Sequence, residues 1–319
     1  MRRIDVFNGD ADGICALIQL RRAFPFETQL ITGVKRDIDL LSRVSAQAGD
    51  RLSVLDISLD KNRRALLNLL ANQVLVFYAD HHFPGEIPVH PGLTSIIDTD
   101  ANVCTSLLVN DYIERRFLGW AVTGAFGDNL ADSAIQAAKP LSLSYKQLQQ
   151  LRQLGICINY NAYGETLDDL HIVPEVLYRR LAVYKSPLEF IAEQGGVYQD
   201  LLAAYAYDMS RAQGMPPEYQ AGRIAVFILP DEKWARRVSG VWGNELANLY
   251  PDRAHAVLSH NRRGGYQVSV RAPLNEKAGA DALCRRFPEG GGRQAAAGIN
   301  HLEKHQLSAF IDAFRSQYG

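Results

Sequence analysis

The chain has little that would suit it to an oxidising compartment or a membrane. Its four cysteines, Cys15, Cys104, Cys157 and Cys284, are scattered, and no pair has zinc-ligand or redox spacing. Each lies in an apolar run and reads as a small buried hydrophobe. No apolar stretch is long enough to span a bilayer. The chain opens on a strand-like Ile4-Asp5-Val6-Phe7 rather than a signal peptide. A cytoplasmic location is the expectation. A surplus of charge is missing too: 34 Lys and Arg stand against 35 Asp and Glu, for a net charge of −1. Bulk electrostatics therefore does not recruit long nucleic acid. There is no internal repeat, no low-complexity segment and no aromatic ladder suited to a long single strand.

What is present is enough for two cores, since 319 residues exceed one comfortable domain. In the first part strands alternate with helical patterns. Ile4–Phe7, Gln29–Val34, Arg51–Ile57, Gln73–Ala79 and Ser95–Asp98 read as strands. Asn62–Leu70, Ala101–Phe117 and Leu118–Gly127 read as helices. Residues 142–194 are helical in pattern, and Val197–Met215 is a helix ended by Gly214-Met215-Pro216-Pro217. Beyond it Ile224–Leu229, His255–His260 and Tyr266–Arg271 read as strands, the last two joined by a turn over Asn261–Gly265. A short helix over Ala278–Phe287 and a final helix over Leu302–Tyr318 complete the pattern. The expected fold is α/β with two domains. Residues 1–194 form a mostly parallel sheet with helices on both faces, 195–218 a helical linker, and 219–319 a smaller α/β domain.

Four acidic clusters punctuate the first 130 residues or so: Asn8-Gly9-Asp10-Ala11-Asp12-Gly13, then Asp56, then Asp80-His81-His82, then Gly127-Asp128-Asn129. Asp10, Asp56 and Asp80 each fall where a strand stops, and ligand sites of open α/β sheets form at those carboxyl ends. Converging carboxylates are costly unless a cation neutralises them, and divalent metals do this readily. Neutral imidazole is a common partner in such sites. Each piece also has a plainer reading: Asp-rich turns are frequent, and Asp56 suits a cap on the following helix.

In these motifs the chain resembles the DHH phosphoesterase family, named for the Asp-His-His triplet. The resemblance covers nearly the whole chain. Asp10 and Asp12 match the first motif, Asp56 the second, Asp80-His81-His82 the third and Asp128 the fourth. Gly290-Gly291-Gly292-Arg293 with Ala296-Ala297-Gly298 resembles the signature of the DHH-associated domain, and Ser269 and Arg271 match the strand before it. The resemblance implies two manganese ions per site. Asp56 would bridge them, Asp10 would serve the first, and Asp12, His81 and Asp128 would complete the second. Asp80 would orient its neighbours, and His82 would meet the scissile phosphate. Ser269, Arg271, Gly291, Gly292 and Arg293 would bind substrate.

Two positions depart from the family pattern. Asn8 stands where many members place a histidine or aspartate for the first ion. An amide oxygen binds manganese without charge, which implies a weaker or differently shaped first site; alternatively Asn8 is only a turn residue. Arg293 replaces the histidine after the glycine triplet, keeping a cation and adding a fork suited to phosphate. The glycines suit an anion-binding nest of N–H groups. Arg262 and Arg263 flank the hairpin turn and read as solvated.

Members of the family cleave dinucleotides, cyclic dinucleotides, adenosine bisphosphate, single-stranded DNA or polyphosphate. The modest length and neutral charge fit a small substrate. The expected activity is manganese-dependent cleavage of linear dinucleotides or very short oligonucleotides, such as pGpG or pApA, to mononucleotides. A single-strand exonuclease, an adenosine bisphosphatase and a non-catalytic nucleotide sensor are the alternatives. The expected partner is a short nucleotide, with no membrane and no long nucleic acid, and with a homodimer as the alternative to a monomer.

Overall fold

The computed structural model describes residues 1–193 and 195–319. Gln194, the expected last residue of the first domain, lies outside them. The described residues divide into two units. The first is Met1–Ala162 with Thr166–Leu202, and the second is Tyr163–Glu165 with Ala203–Gly319. The division falls inside one helix, Gly195–Gln213, which occupies most of the expected linker. Among the described residues no helix is long and apolar enough to cross a membrane.

The first unit contains β1 (Arg3–Phe7), α1 (Ala11–Ala23), β2 (Gln29–Ile31), β3 (Arg51–Leu55), α2 (Leu59–Ala71), β4 (Leu75–Asp80) and β5 (Leu93–Ile97). Then follow α3 (Thr105–Tyr112), α4 (Leu118–Gly127), α5 (Ala131–Ala138), α6 (Tyr145–Ala162), α7 (Pro174–Ala182), α8 (Pro187–Glu193) and the first part of α9 (Gly195–Gln213), the helix that the division cuts. Its sheet has the order β2-β1-β3-β4-β5, and every pairing is parallel. The chain leaves β1 toward one edge through α1 and leaves β3 toward the other through α2. Right-handed crossovers then put the two helices on opposite faces. One face carries Ile4, Val6, Leu52, Val54, Val76 and Tyr78, which pack with Leu59, Leu66, Leu69 and Leu70 of α2. Their period of two is the strand signature. The order reverses between β1 and β3, so a crevice opens past the carboxyl ends of those strands. Asp10 and Asp56 follow them directly.

The second unit adds β6 (Tyr219–Ala221), β7 (Ile224–Leu229), α10 (Lys233–Leu249), β8 (Ala254–His260), β9 (Tyr266–Arg271), α11 (Ala280–Cys284), β10 (Gly290–Gly292), β11 (Ala296–Leu302) and α12 (Leu307–Tyr318). Its sheet order is β10-β11-β9-β8-β7-β6, antiparallel except for the parallel pair β7 and β8. Val226, Leu258, Val268, Val270 and Ile299 form one apolar layer with Phe310 and Phe314 of α12.

Several expected boundaries move. The helix expected over Ala101–Phe117 is only Thr105–Tyr112. Asp98 and Asp100 accept the N–H groups of Asp100 and Asn102, holding the approach in turns. Glu114 and Arg115 at φ +59 and +61 stop the helix at its far end. The strand expected over Gln29–Val34 stops at Ile31. The last helix starts at Leu307, because Leu302 closes β11. The glycine triplet, expected as an anion-binding nest, is an edge strand paired Gly290–Ile299, Gly291–Gly298 and Gly292–Ala297. Gly292 has φ +137, and a Cβ there would stand 2.5 Å from the Ala297 Cα.

Candidate metal centre

Every side chain of the acidic motifs is positioned by a backbone feature. Asp10 is the N-cap of α1, and its Oδ1 accepts from the N–H groups of Asp12 at 3.1 Å and Gly13 at 3.0 Å. The plain cap reading of this turn therefore holds for one oxygen. The other, Oδ2, is paired with the Lys35 ammonium. Asp12, in the first turn of α1, is held by the start of α3. Its Oδ2 accepts from Thr105 N and its Oδ1 from Ser106 N, both at 2.7 Å. The positive end of that helix favours the carboxylate.

Asp56 does not cap α2; Ser58 occupies that position. Instead Asp56 adopts φ +59, a left-handed conformation that costs a non-glycine residue about 1–3 kcal/mol. Asn129, next to Asp128, is also left-handed at φ +62. Asp56 Oδ1 accepts from the Thr105 hydroxyl at 3.2 Å. Asp128 is the C-cap residue of α4, where the helix dipole disfavours an anion. The helix C-terminus is unfavourable for the bare Asp128 carboxylate, whereas the Asp56 strain lies in its backbone and does not depend on its charge.

His81 lies at the middle. Its Nδ1 is 2.8 Å from the Val103 carbonyl, which can only accept, so Nδ1 carries the hydrogen and Nε2 is turned to the carboxylates. Nε2 is 3.3 Å from Asp56 Oδ1, 3.7 Å from Asp12 Oδ2 and 3.7 Å from Asp128 Oδ2. Either a proton on Nε2 or a shared cation must reconcile those acceptors. His82, whose side chain is 26% exposed, is held by Asp80 through Nδ1···Oδ1 at 2.7 Å and lies 4.0 Å from Asp56 Oδ1.

The acidic groups are all nearly buried: Asp10 1%, Asp12 1%, Asp56 2%, Asp80 0% and Asp128 8% exposed. Burial pushes the Asp56 carboxyl well above the usual range, and the charges of Asp10 and Asp12 push the same way. Burial acts likewise on Asp10, but Lys35, with hydrogen bonds from Asp56 and Gly13, outweighs it and brings that carboxyl to about 2. For Asp80 burial is again the largest influence, yet His82 and His81 more than offset it and leave the carboxyl below its ordinary value. Asn8 Nδ2 donates to the Lys35 carbonyl at 3.4 Å. Among the described residues its Oδ1 is buried with no hydrogen-bond partner.

Asp12, His81 and Asp128 offer ligand atoms within 4.8 Å of one another, as do Asp56, His81 and His82. The structure thus gathers Asn8, Asp10, Asp12, Asp56, Asp80, His81, His82 and Asp128 around one crevice of the first unit. The sequence reading missed Lys35, Asn159, Thr105 and the backbone of Val103 and Ser106. Lys35 carried one signal: it lies a few residues past β2, at the same sheet edge as the acidic motifs.

The expected substrate contacts lie in the second unit. Ser269 and Arg271 are buried in β9, on the face opposite Val268 and Val270. Arg271 Nε donates to Asn244 Oδ1 at 2.5 Å, Nη1 to Val270 O at 3.0 Å and Nη2 to Gly240 O at 3.1 Å. These bonds clamp β9 to α10. Arg271→Lys leaves buried acceptors unpaired and is expected to destabilise this unit by about 1–3 kcal/mol. Urea unfolding followed by Trp234 and Trp242 fluorescence measures it; an unchanged midpoint would remove the clamp. Gly291, Gly292 and Arg293 are half-buried at the edge strand. Two donors of the expected nest are already used, Gly290 N by Phe287 O and Arg293 N by Ala296 O.

No family model matches the chain, and no curated protein matches it. Solved structures do. A DHH-domain protein described as a member of a family of ribosomal proteins aligns at TM-score 0.64 and 14% identity, over 99% of this chain and 86% of that one. Exonuclease RecJ bound to manganese aligns at TM-score 0.58 and 18% identity, over 99% and 89%. RecJ from Thermus thermophilus in complex with Mn2+ aligns at TM-score 0.64 and 18% identity, over 99% of this chain and 52% of that one. The chain spans about half the length of the Thermus protein. In backbone architecture, over almost its whole length, the chain has the fold of the DHH-domain proteins.

Proposed function

We propose that the chain is a divalent-metal-dependent phosphoesterase of the DHH family that cleaves linear dinucleotides or very short oligonucleotides to mononucleotides. The observation that carries this reading is His81 Nε2, 3.3–3.7 Å from three buried carboxylates with its other nitrogen tied to a carbonyl. Buried carboxylates, one of them at a helix C-terminus, are costly without a cation, and the donor set fits one. Carboxylate oxygens and a neutral imidazole suit manganese, and also magnesium or zinc. Manganese is the first choice because the RecJ neighbours are described with it. Asp12, Asp56, His81 and Asp128 would hold it. Such an ion supplies Lewis acidity toward a phosphoryl group and lowers the pKa of a bound water.

The chain's own residues would do the rest. Asp80 orients His82 through Nδ1, which leaves the partly exposed ring edge to meet a phosphate oxygen or to donate a proton to the leaving group. Thr105 and the start of α3 fix Asp56 and Asp12, so the carboxylates do not reorganise as charge develops. In the second unit Arg293 is the proposed contact for a terminal phosphate, because the Arg271 guanidinium is largely committed inside the fold. The balanced net charge favours a short substrate over a polymer.

Turnover of pGpG, pApA, a pentanucleotide, long single-stranded DNA and adenosine bisphosphate, compared with manganese present, tests the reading. The dinucleotides are expected to be fastest. Faster cleavage of the bisphosphate or of long DNA overturns the substrate class, and no cleavage of any of them overturns the hydrolase.

A further inference from the structure

Lys35 is not a surface lysine that happens to lie near an acid. Its side chain is only 21% exposed, and it pairs with Asp10 Oδ2. From the other side its ammonium donates to Asn159 Oδ1 at 3.1 Å, and Asn159 is 2% exposed on α6. Its backbone N–H donates to Ala162 O at the end of the same helix, at 2.9 Å. Head and root of the residue are therefore both fastened to α6. Asp10 has one oxygen on the α1 N-terminus and the other on this cation, whereas both oxygens of Asp12 meet neutral backbone N–H groups. Asp10 belongs to neither group of residues with clustered ligand atoms.

The donors left for an ion on that side are few. Asn8 brings no charge. Asp56 is shared with the His81 side, at 3.3 Å from Nε2. His82 is held by Asp80 through Nδ1, so it has only its partly exposed ring edge to offer and, as a neutral ligand, brings no charge. A divalent ion there would face an ammonium across a nearly buried carboxylate, with no second anion of its own. Asp12, His81 and Asp128 form one three-residue set and Asp56, His81 and His82 the other, but both call on His81, whose Nδ1 is tied to Val103 O and which has only Nε2 left to give.

We infer that Lys35 acts as a built-in replacement for one cation, so that the centre takes a single divalent ion beside a fixed ammonium instead of two ions. This rests on the metal-dependent reading of the site. It also gives the neutral Asn8 a reason: a carboxylate there would call for the ion that Lys35 replaces. On this account the ammonium neutralises Asp10 and lends positive charge to a phosphate, but cannot acidify a water as a metal does.

Metal content decides it. Full-length protein is loaded with Mn2+, desalted and assayed by atomic emission, with electron paramagnetic resonance on the same sample. The expected result is one manganese per chain with the spectrum of an isolated ion. An Asn8→Asp, Lys35→Ala double variant is expected to double the content and show the spectrum of an exchange-coupled pair. Wild-type protein holding two ions overturns the inference and leaves the proposed function intact. Wild-type protein holding none overturns the metal-dependent reading itself. A folded double variant that stays at one ion also counts against Lys35 as the excluding group. If the double variant does not fold, the wild-type count and spectrum still decide between one ion and two.

Discussion

His81→Ala is expected to lower manganese-dependent hydrolysis by more than about 100-fold, the usual ceiling for losing an outer-shell partner of a metal. The substitution removes the nitrogen that three carboxylates face at 3.3–3.7 Å. The same variant should lose metal-dependent thermal stabilisation, which for a ligand at 100 times its Kd amounts to about 2.7 kcal/mol. His82→Ala separates binding from chemistry. That ring sits at the margin, 4.0 Å from Asp56 Oδ1 and held by Asp80. It is expected to keep the thermal shift and lose turnover. Melting curves with and without manganese, beside initial rates, read both effects. A His81→Ala protein that melts and responds to metal like the wild type would end the ligand assignment.

Gly155→Ala should be strongly harmful, although alanine ordinarily favours a helix interior over glycine by about 1 kcal/mol. Gly155 lies within α6, where a Cβ would overlap the Thr123 carbonyl oxygen and come within 2.8 Å of Gly127 N. These are backbone atoms of α4, so no rotamer change can relieve the clash. Overpacking costs typically about 1–3 kcal/mol. A clash with fixed backbone belongs at the top of that range, so after the helix gain a net loss of about 2 kcal/mol is expected, or a Tm lower by roughly 5 °C. The displaced atom directly precedes Asp128, so α4 cannot shift without moving a proposed ligand. Weaker manganese uptake should therefore accompany the lower Tm. A variant as stable as wild type with unchanged uptake would show that α4 and α6 have slack.

The two predictions draw on features of unequal visibility in the sequence. The acidic motifs were legible because chemistry forces them to specific residue types, and because buried strands such as Val54-Leu55 run straight into them. Ile224–Leu229, a continuous apolar run, and Tyr266–Arg271, which alternates, coincide with β7 and β9, since neither pattern needs tertiary help to be seen. Helix α10 passed unnoticed. Lys233–Leu249 contains Gly240 and Gly243, which locally argue against a helix. Their reason is tertiary: a Cβ on Gly240 would overlap the Tyr163 ring, and Gly243 lies under the Arg271 side chain. Strands β10 and β11 escaped because glycine and alanine carry no β signal, and only their pairing makes them strands. Lys35 escaped because its place past a three-residue strand is a weak mark for a single lysine; its partners are 25 and 124 positions away.

One stretch serves the crevice without showing itself. From the end of β5 into the first turn of α3, Val103 orients His81 by its carbonyl, and Ser106 grips Asp12 by its amide. Peptide groups are common to every amino acid, so this support survives replacement of those side chains as long as the local path is kept. Homologous chains can therefore diverge here letter by letter while the chemistry stays put. A search for shared residues would pass over the very segment that aims two of the ligands.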